Sequence, residues 1–155
     1  MTGQDLKAAQ LWIAEHRALD DLLGRFLSAA SAGEAAPARE AILAFDQDLR
    51  RHTAAEEKDV FHRPRGEKLV PRNEEEGRQK LLRELALEHV QIREVSGILV
   101  RLWTESAEAQ GKGLVGNLLS RWDAHTAREE REIYSNHPEA AEPPPVPPGD
   151  PSSRR

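Results

Sequence analysis

An internal repeat constrains the fold of this chain more than any other feature of its sequence. The segment HTAREEREIY, which begins at residue 125, nearly repeats HTAAEEKDVF, which begins at residue 52, so the two copies are offset by 73 residues. The same offset carries the EH pair at residues 15 and 16 onto the EH pair at residues 88 and 89. Self-similarity at one period indicates a structural unit that occurs twice. The chain is therefore expected to contain two related units.

Composition and hydrophobic periodicity indicate what each unit is. Charged residues make up 32% of the 155 residues and aromatic residues only 5%, a mixture that favours helices over strands. Apolar residues recur at helical spacing in four segments, approximately 4–30, 37–62, 74–107 and 113–135. The repeat therefore equals one helix pair. The expected fold is all-α: an antiparallel up-down-up-down four-helix bundle made of two repeated helical hairpins.

The C-terminal segment differs in composition from the rest of the chain. It contains the proline-rich run PPPVPP and almost no apolar side chains that a core could bury. The predicted domain organisation is a bundle over residues 1–136 and an extended or disordered tail over residues 137–155. A proline-rich ligand for another domain is the alternative interpretation of this tail, but a solvated tail is favoured.

Several classes of function are excluded by charge and cysteine content. The net charge of -5 comes from interleaved acidic and basic residues, so no basic stripe is available for nucleic acid or an anionic membrane. The absence of cysteine excludes disulfides and thiolate chemistry. No stretch has the length of a membrane span, and the N-terminus lacks the pattern of a signal peptide. A cytoplasmic location is expected.

Four of the six histidines lie on the apolar faces of the predicted helices, one in each helix. In the second and fourth helices a glutamate follows the histidine by one turn. The stripes are Ile42, Phe45, Leu49, His52, Glu56 and Val60 in the second helix, and Val115, Leu118, Trp122, His125, Glu129 and Ile133 in the fourth. The other two histidines, His62 and His137, have no repeat partners and are expected at the surface.

Buried glutamates need a compensating cation, because an unpaired carboxylate in a core costs several kcal/mol. No lysine or arginine lies on these stripes at the same level, whereas imidazole and carboxylate together suit a pair of iron or manganese ions. The predicted metal ligands are His16, His52, Glu56, His89, His125 and Glu129.

The order of a histidine, H-x-x-x-E, a histidine and a second H-x-x-x-E in four helices resembles the hemerythrin-like family, also called the HHE cation-binding domain. The resemblance covers the whole chain except the tail, and it implies a non-haem di-iron centre. Glu56 and Glu129 would bridge the two irons together with an oxo or hydroxo group. By that analogy His16 and His52 would bind one iron, and His89 and His125 the other; manganese is the less favoured metal.

The chain departs from the oxygen-carrying members of that family at two positions. Those members have a fifth histidine where this chain has Arg93, and they end with histidine and aspartate at five-residue spacing, whereas His125 and Glu129 are four residues apart. Each iron would then have two histidines and the shared bridges, so both could accept an exogenous ligand. This symmetric pattern favours turnover of a small oxidant over reversible oxygen storage.

Some members of the family that this chain resembles decompose hydrogen peroxide or are linked to nitric oxide and oxidative stress. The resemblance thus implies decomposition of hydrogen peroxide by a catalase-like reaction in oxidative or nitrosative stress defence, with hydrogen peroxide, oxygen and nitric oxide as partners. The alternative is a sensor or binding module for oxygen, nitric oxide or iron without turnover. Ferritin-like storage or oxidase chemistry ranks third, because it would require repeated Glu-x-x-His motifs, which the sequence lacks.

Five further residues are candidates for a supporting role around the metals. Asp20 and Arg93 each follow a ligand histidine by four residues, so they are expected either to pair near the site or to be separate solvated charges. Glu57 and Glu130 are expected as outer acceptors for ligand histidines, as occasional metal ligands, or as exposed side chains. Tyr134 could donate a hydrogen bond near the iron or act as a radical or electron conduit, but packing is the favoured interpretation.

Overall fold

The computed structural model describes residues 3–62 and 72–134, and these form a four-helix bundle. No strand occurs within these two ranges. The long helices are α1 (Gly3–Ser31), α2 (Ala35–Glu56), α3 (Arg72–Thr104) and α4 (Lys112–Glu129). Each helix packs against the next one along the chain. The all-α, antiparallel four-helix fold predicted from the repeat is thus confirmed.

The two hairpins end their first helices in the same way. At the end of α1, Gly33 has a φ of 73°, and the amide of Glu34 donates to the carbonyl of Ala29 at 2.9 Å. At the end of α3, Ser106 has a φ of 55°, and the amide of Ala107 donates to the carbonyl of Leu102 at 2.8 Å. Both are left-handed caps that reverse the chain direction. They occupy equivalent positions in the repeat.

Three short helical turns complete the described fold. A 3₁₀ turn (Glu108–Gly111) precedes α4. One π-helical turn (Glu57–Phe61) directly follows α2, and a second (Glu130–Tyr134) directly follows α4. Both π turns therefore begin one residue after a predicted ligand glutamate. Single π turns inside α-helices occur frequently at functional sites.

The π turns correct one detail of the sequence interpretation. The α-helical stripes placed Val60 and Ile133 on the buried face, but both side chains are only partly buried. Phe61 and Tyr134, one residue further on, are buried instead, with exposed fractions of 7% and 5%. The physical reason is that a π turn contains more residues per turn than an α-helix, so the residue five positions after the glutamate returns to the inner face.

The core has an apolar cluster on each side of a polar layer. The larger cluster lies toward the end of the bundle where α1 meets α2 and α3 meets α4, and it includes Phe26, Phe45, Leu99, Trp103 and Leu118. The smaller cluster lies toward the opposite end and consists of Phe61, Leu82 and Leu85 with partly buried neighbours. Between the two clusters lie the buried histidines and glutamates.

Several sequence predictions concern other parts of the chain. His62 is exposed, as predicted. The proline-rich tail over residues 137–155 and His137 lie outside the described residues, so the tail and the two-part domain organisation stay predictions. Among the described residues, no helix combines the length and the apolar character needed to cross a membrane.

Candidate metal centre

All six predicted metal ligands lie together in the middle of the bundle. Their exposed fractions do not exceed 2%. They form two groups of four, in each of which one ligand atom per residue lies within 4.8 Å of the others. One group is His16, His52, Glu56 and Glu129; the other is Glu56, His89, His125 and Glu129. Each group takes both of its histidines from one hairpin, and the two groups share the same two glutamates.

The orientation of each histidine is set by a carboxylate on its outer side. In every case the Nδ1 atom is within hydrogen-bonding distance of a glutamate oxygen, which directs Nε2 toward the centre. The pairs are His16 with Glu130 (3.1 Å), His52 with Glu15 (2.6 Å), His89 with Glu57 (2.9 Å) and His125 with Glu88 (2.7 Å). Four imidazoles therefore present the same nitrogen to one small volume.

The centre contains polar atoms that no protein group satisfies. His16 Nε2, His125 Nε2, Glu56 Oε2 and Glu129 Oε2 are buried without a hydrogen-bond partner. His125 Nε2 lies only 2.8 Å from Glu129 Oε1, but the two groups are not aligned for a hydrogen bond. A buried polar atom without a partner costs about 1–3 kcal/mol, so several in one place indicate a missing ligand. Nitrogen and carboxylate donors of this kind fit iron or manganese ions.

Without metal, the charges of the centre are balanced by protons. Burial lowers the pKa of His89, but hydrogen bonds and charge interactions with Glu129 and Glu56 outweigh it and raise the value to about 10. Burial also lowers the pKa of His16, but the nearby carboxylate of Glu129 outweighs this effect, so the pKa of His16 is raised. Burial raises the pKa of Glu129, yet the nearby imidazoles of His125, His16 and His89 hold it well below its usual value. Metal ions would therefore replace protons at this site.

The structure resolves the alternatives for Glu57 and Glu130. Both are outer acceptors for a ligand histidine, and neither belongs to the two groups of potential metal ligands. Each contacts a histidine of the other hairpin. Glu57, in the π turn after α2, contacts His89 on α3, and Glu130, in the π turn after α4, contacts His16 on α1. These contacts tie the two hairpins together at the centre.

Sequence reasoning missed two outer carboxylates, Glu15 and Glu88. They accept from His52 and His125, and in both cases the partner lies on the adjacent helix of the same hairpin. A signal was present in the sequence, because both glutamates belong to the EH pairs that the repeat superposes. Their role could not be assigned, because each contacts a histidine on another helix and not the one that follows it in the chain.

An outer layer of arginines neutralises the four outer carboxylates. The pairs are Arg17 with Glu130 (2.9 Å), Arg51 with Glu15 (3.4 Å), Arg93 with Glu57 (3.3 Å) and Arg128 with Glu88 (2.7 Å). The two arginines that support the His89 and His125 side are 23% and 28% exposed, whereas the two on the other side are about 60% exposed. The arginines on the His89 and His125 side are therefore less exposed to solvent than those on the His16 and His52 side.

The predicted pairing of Asp20 with Arg93 is wrong. Asp20 accepts a hydrogen bond from Trp122 Nε1 at 2.7 Å and pairs with Arg17, whereas Arg93 donates to Thr53 Oγ1 at 2.8 Å and pairs with Glu57. The reason is that each residue meets a different neighbouring helix, so equivalence in the repeat does not bring them together. Arg93 still supports the centre, through Glu57 and hence His89.

Tyr134 does more than pack in the core. Its hydroxyl donates a hydrogen bond to Glu56 Oε1, one of the two shared glutamates, and its ring lies near His16 at a centroid distance of 6.2 Å. Burial and the negative charge of Glu56 raise the pKa of this phenol, so it stays protonated and remains a donor. The hydrogen-bonding interpretation therefore replaces the favoured packing one. A role as a radical or electron conduit stays a prediction.

Comparison with known proteins agrees with this geometry. Residues 7–136 match the family model described as the hemerythrin HHE cation binding domain. Comparison with curated proteins and with solved structures gave no significant match. The match covers α2, α3 and α4, nearly all of α1, and every residue of the two histidine and glutamate groups. The chain belongs to the hemerythrin HHE cation-binding domain family.

Proposed function

We propose that this chain holds two iron ions and decomposes hydrogen peroxide. The observation that carries the proposal is the pair of four-residue groups that share Glu56 and Glu129. Two histidines for each position and two shared carboxylates form the ligand pattern of a carboxylate-bridged metal pair inside a helix bundle. Membership of a cation-binding family supports the same conclusion.

The ligand count favours reaction over storage. Each position has two histidines of its own, so neither position is filled by an additional nitrogen from the described residues. Arg93, one turn after His89, donates to Thr53 and Glu57 and offers no ligand. Both metal positions would therefore keep room for a small molecule, which a reaction that alternately reduces and oxidises peroxide requires.

The overall reaction converts two molecules of hydrogen peroxide into two of water and one of oxygen. One peroxide is reduced by two electrons with cleavage of its O–O bond, and the other is oxidised by two electrons. The iron pair would supply and recover these two electrons by changing oxidation state. The chain's own contribution is to orient the four imidazoles through the outer glutamates and to bury the centre so that only small oxidants reach it.

The first test is metal content and oxygen evolution in protein purified without chelator. We expect about two irons per chain and oxygen release on addition of peroxide. His125→Ala should abolish oxygen release, because it removes a ligand nitrogen and leaves Glu129 without its closest imidazole. Glu40→Gln, a change at an exposed residue of α2, is the matched control and should behave like the parent protein.

The same experiment distinguishes the alternative function. A sensor or binding module for oxygen, nitric oxide or iron would load with metal and change its visible spectrum with ligand, but it would release no oxygen from peroxide. That result would contradict the proposed turnover and leave the metal centre in place. Action in the cytoplasm belongs to the proposal as well, and fractionation of cells that produce the chain would test it.

A further inference from the structure

A hydroxyl at the metal centre occurs in one hairpin and not in the other. Phe61 and Tyr134 are equivalent in the repeat, and both are buried on the inner side of a π turn. Phe61 stacks on His89, with ring centroids 5.3 Å apart and an interplanar angle of 12°. Tyr134 instead lies beside His16 and donates to Glu56. One side of the centre is therefore lined by hydrocarbon, and the other side has a protic donor.

The two shared glutamates consequently have different environments. Glu129 is contacted by Nε2 of His16 at 3.2 Å, of His89 at 3.2 Å and of His125 at 2.8 Å. Glu56 is contacted by Nε2 of two histidines at longer distances, 3.3 and 3.5 Å, and by the hydroxyl of Tyr134. The hydroxyl thus acts on the carboxylate that has fewer imidazole contacts.

No other hydroxyl among the described residues reaches a shared glutamate. The two buried threonines nearest the ligands in sequence are occupied elsewhere: Thr126 Oγ1 donates to the carbonyls of Trp122 and Asp123, and Thr53 Oγ1 accepts from Arg93. Tyr134 is also the single tyrosine of the chain. It therefore provides both a distinct chemical group at the centre and a distinct spectroscopic probe.

We propose that Tyr134 is a positioning residue that directs a small anionic ligand to the His16 and His52 side of the centre. The inference rests on the metal pair of the proposed function but not on peroxide turnover. The hydroxyl has one proton, which Glu56 accepts in the metal-free centre. Once metal neutralises the charge of Glu56, an anion bound beside Tyr134 would be the stronger acceptor for that proton, because a hydrogen bond to a charged group is stronger than one between neutral groups. On the opposite side the Phe61 ring offers no donor.

The first part of the test measures azide binding to the iron-loaded full chain. Tyr134→Phe should keep its metal content, because Phe61 shows that phenylalanine fits the equivalent position. It should bind azide about tenfold more weakly than the parent, which corresponds to about 1.4 kcal/mol. Glu40→Gln, at an exposed residue of α2, is the matched control and should stay within about twofold of the parent.

The second part asks on which side the ligand binds. In the zinc-loaded parent protein, ¹³C labelling of the tyrosine ring reports Tyr134 alone, because it is the single tyrosine, and ¹⁵N labelling of the imidazoles reports the four histidines of the centre. Azide should shift the resonances of Tyr134, His16 and His52 more than those of His89 and His125. This spectrum is informative even if Tyr134→Phe loses metal or fails to fold.

The outcomes separate this inference from the proposed function. Unchanged azide affinity in Tyr134→Phe at full metal content, or an azide-induced shift confined to His89 and His125, would overturn the role of Tyr134. A parent protein that binds azide but releases no oxygen from peroxide would contradict only the proposed turnover. A parent protein that binds no metal would overturn both.

Discussion

The two hairpins carry the same predicted metal ligands but differ at many positions around them. His16, His52 and Glu56 in the first hairpin correspond to His89, His125 and Glu129 in the second. Around these ligands the repeat diverges. The differing pairs include Asp20 and Arg93, Gly33 and Ser106, Leu49 and Trp122, and Phe61 and Tyr134. The comparison shows that the repeat preserves the histidines, the shared glutamates and the outer carboxylates, whereas Tyr134 makes the surroundings of the shared Glu56 unequal.

Neither hairpin makes a complete centre by itself. Each metal position takes its histidines from one hairpin but needs a glutamate from the other. Of the outer carboxylates, Glu15 and Glu88 act within a hairpin, whereas Glu57 and Glu130 act across the interface. The metal centre and the association of the hairpins are therefore expected to stabilise one another.

The largest expected effect distinguishes shared ligands from unshared ones. Glu56→Ala should reduce metal content from about two ions per chain to nearly none, because both positions lose a ligand. His52→Ala should retain about one ion, because only one position uses that imidazole. Elemental analysis of the purified proteins measures the difference, with Glu40→Gln as the exposed control. Equal metal content in the two ligand variants would contradict the shared arrangement.

The next effect tests whether the two hairpins support their histidines equally. Glu15→Gln and Glu88→Gln should each weaken metal affinity by about 10–100-fold, because they remove the charged acceptor that orients His52 or His125. Competition with a chelator measures the affinity. Losses of metal affinity of similar size would show that the outer carboxylates support the two hairpins equally. A loss below about twofold in both variants would contradict the role assigned to these carboxylates.

Metal affinity should also depend on pH. His89 must lose a proton to bind metal, and its pKa without metal is about 10. Below that value, affinity should rise by about tenfold per pH unit for each proton released. Titration of the metal-free protein at pH 6, 7 and 8, with the chelator's own pH dependence subtracted, measures the slope. An affinity independent of pH would mean that His89 is neutral before metal binds.

The same pKa predicts how pH affects the metal-free fold. The folded-state value for His89 lies above the ordinary 6.5, so protonated His89 stabilises the fold fully below pH 6.5. This stabilisation should be lost as the pH rises through about 10. Urea unfolding at pH 6 and pH 10 checks the direction. In His89→Gln the free energy of unfolding should differ less between pH 6 and pH 10 than in the parent protein. An equal difference in both proteins would mean that other groups cause the effect.

A smaller effect compares the arginines on the two sides of the centre. Arg128→Gln should weaken metal affinity by about threefold, because Arg128 is 28% exposed and lies 2.7 Å from Glu88. Arg51→Gln should have almost no effect, because Arg51 is 61% exposed and 3.4 Å from Glu15, so solvent screens the pair. Chelator competition at low and moderate salt measures both. A larger loss of metal affinity in Arg51→Gln than in Arg128→Gln would contradict the prediction that the less exposed arginine contributes more.

The smallest effect concerns the caps that end α1 and α3. Ser106→Gly should raise the free energy of unfolding by about 1 kcal/mol, because a left-handed φ is unfavourable for serine. Gly33→Ala should lower it by a similar amount for the same reason. Thermal or urea unfolding measures both changes, and metal content should stay constant. A destabilised Ser106→Gly variant would mean that the serine side chain contributes a contact that offsets its backbone cost.

The sequence alone determined the helical hairpins, their duplication and the six residues at the centre. This was possible because helical periodicity places residues three and four apart on one face, so a histidine and a glutamate on an apolar stripe must point inward. His52 with Glu56 and His125 with Glu129 illustrate the rule, since all four are buried. The 73-residue offset distinguished this pattern from isolated pairs at helix surfaces.

Only the tertiary structure decided which neighbours each of these residues meets. The two π turns bring Phe61 and Tyr134 to the inner face, which α-helical periodicity had assigned to Val60 and Ile133. The acceptors Glu15 and Glu88 likewise contact histidines on a neighbouring helix. Periodicity describes one helix at a time, whereas these contacts depend on the rotation and register of one helix against another. The sequence thus determines which six histidines and glutamates are buried together, whereas helix packing determines that one side of the centre has the hydroxyl of Tyr134 and the other the ring of Phe61.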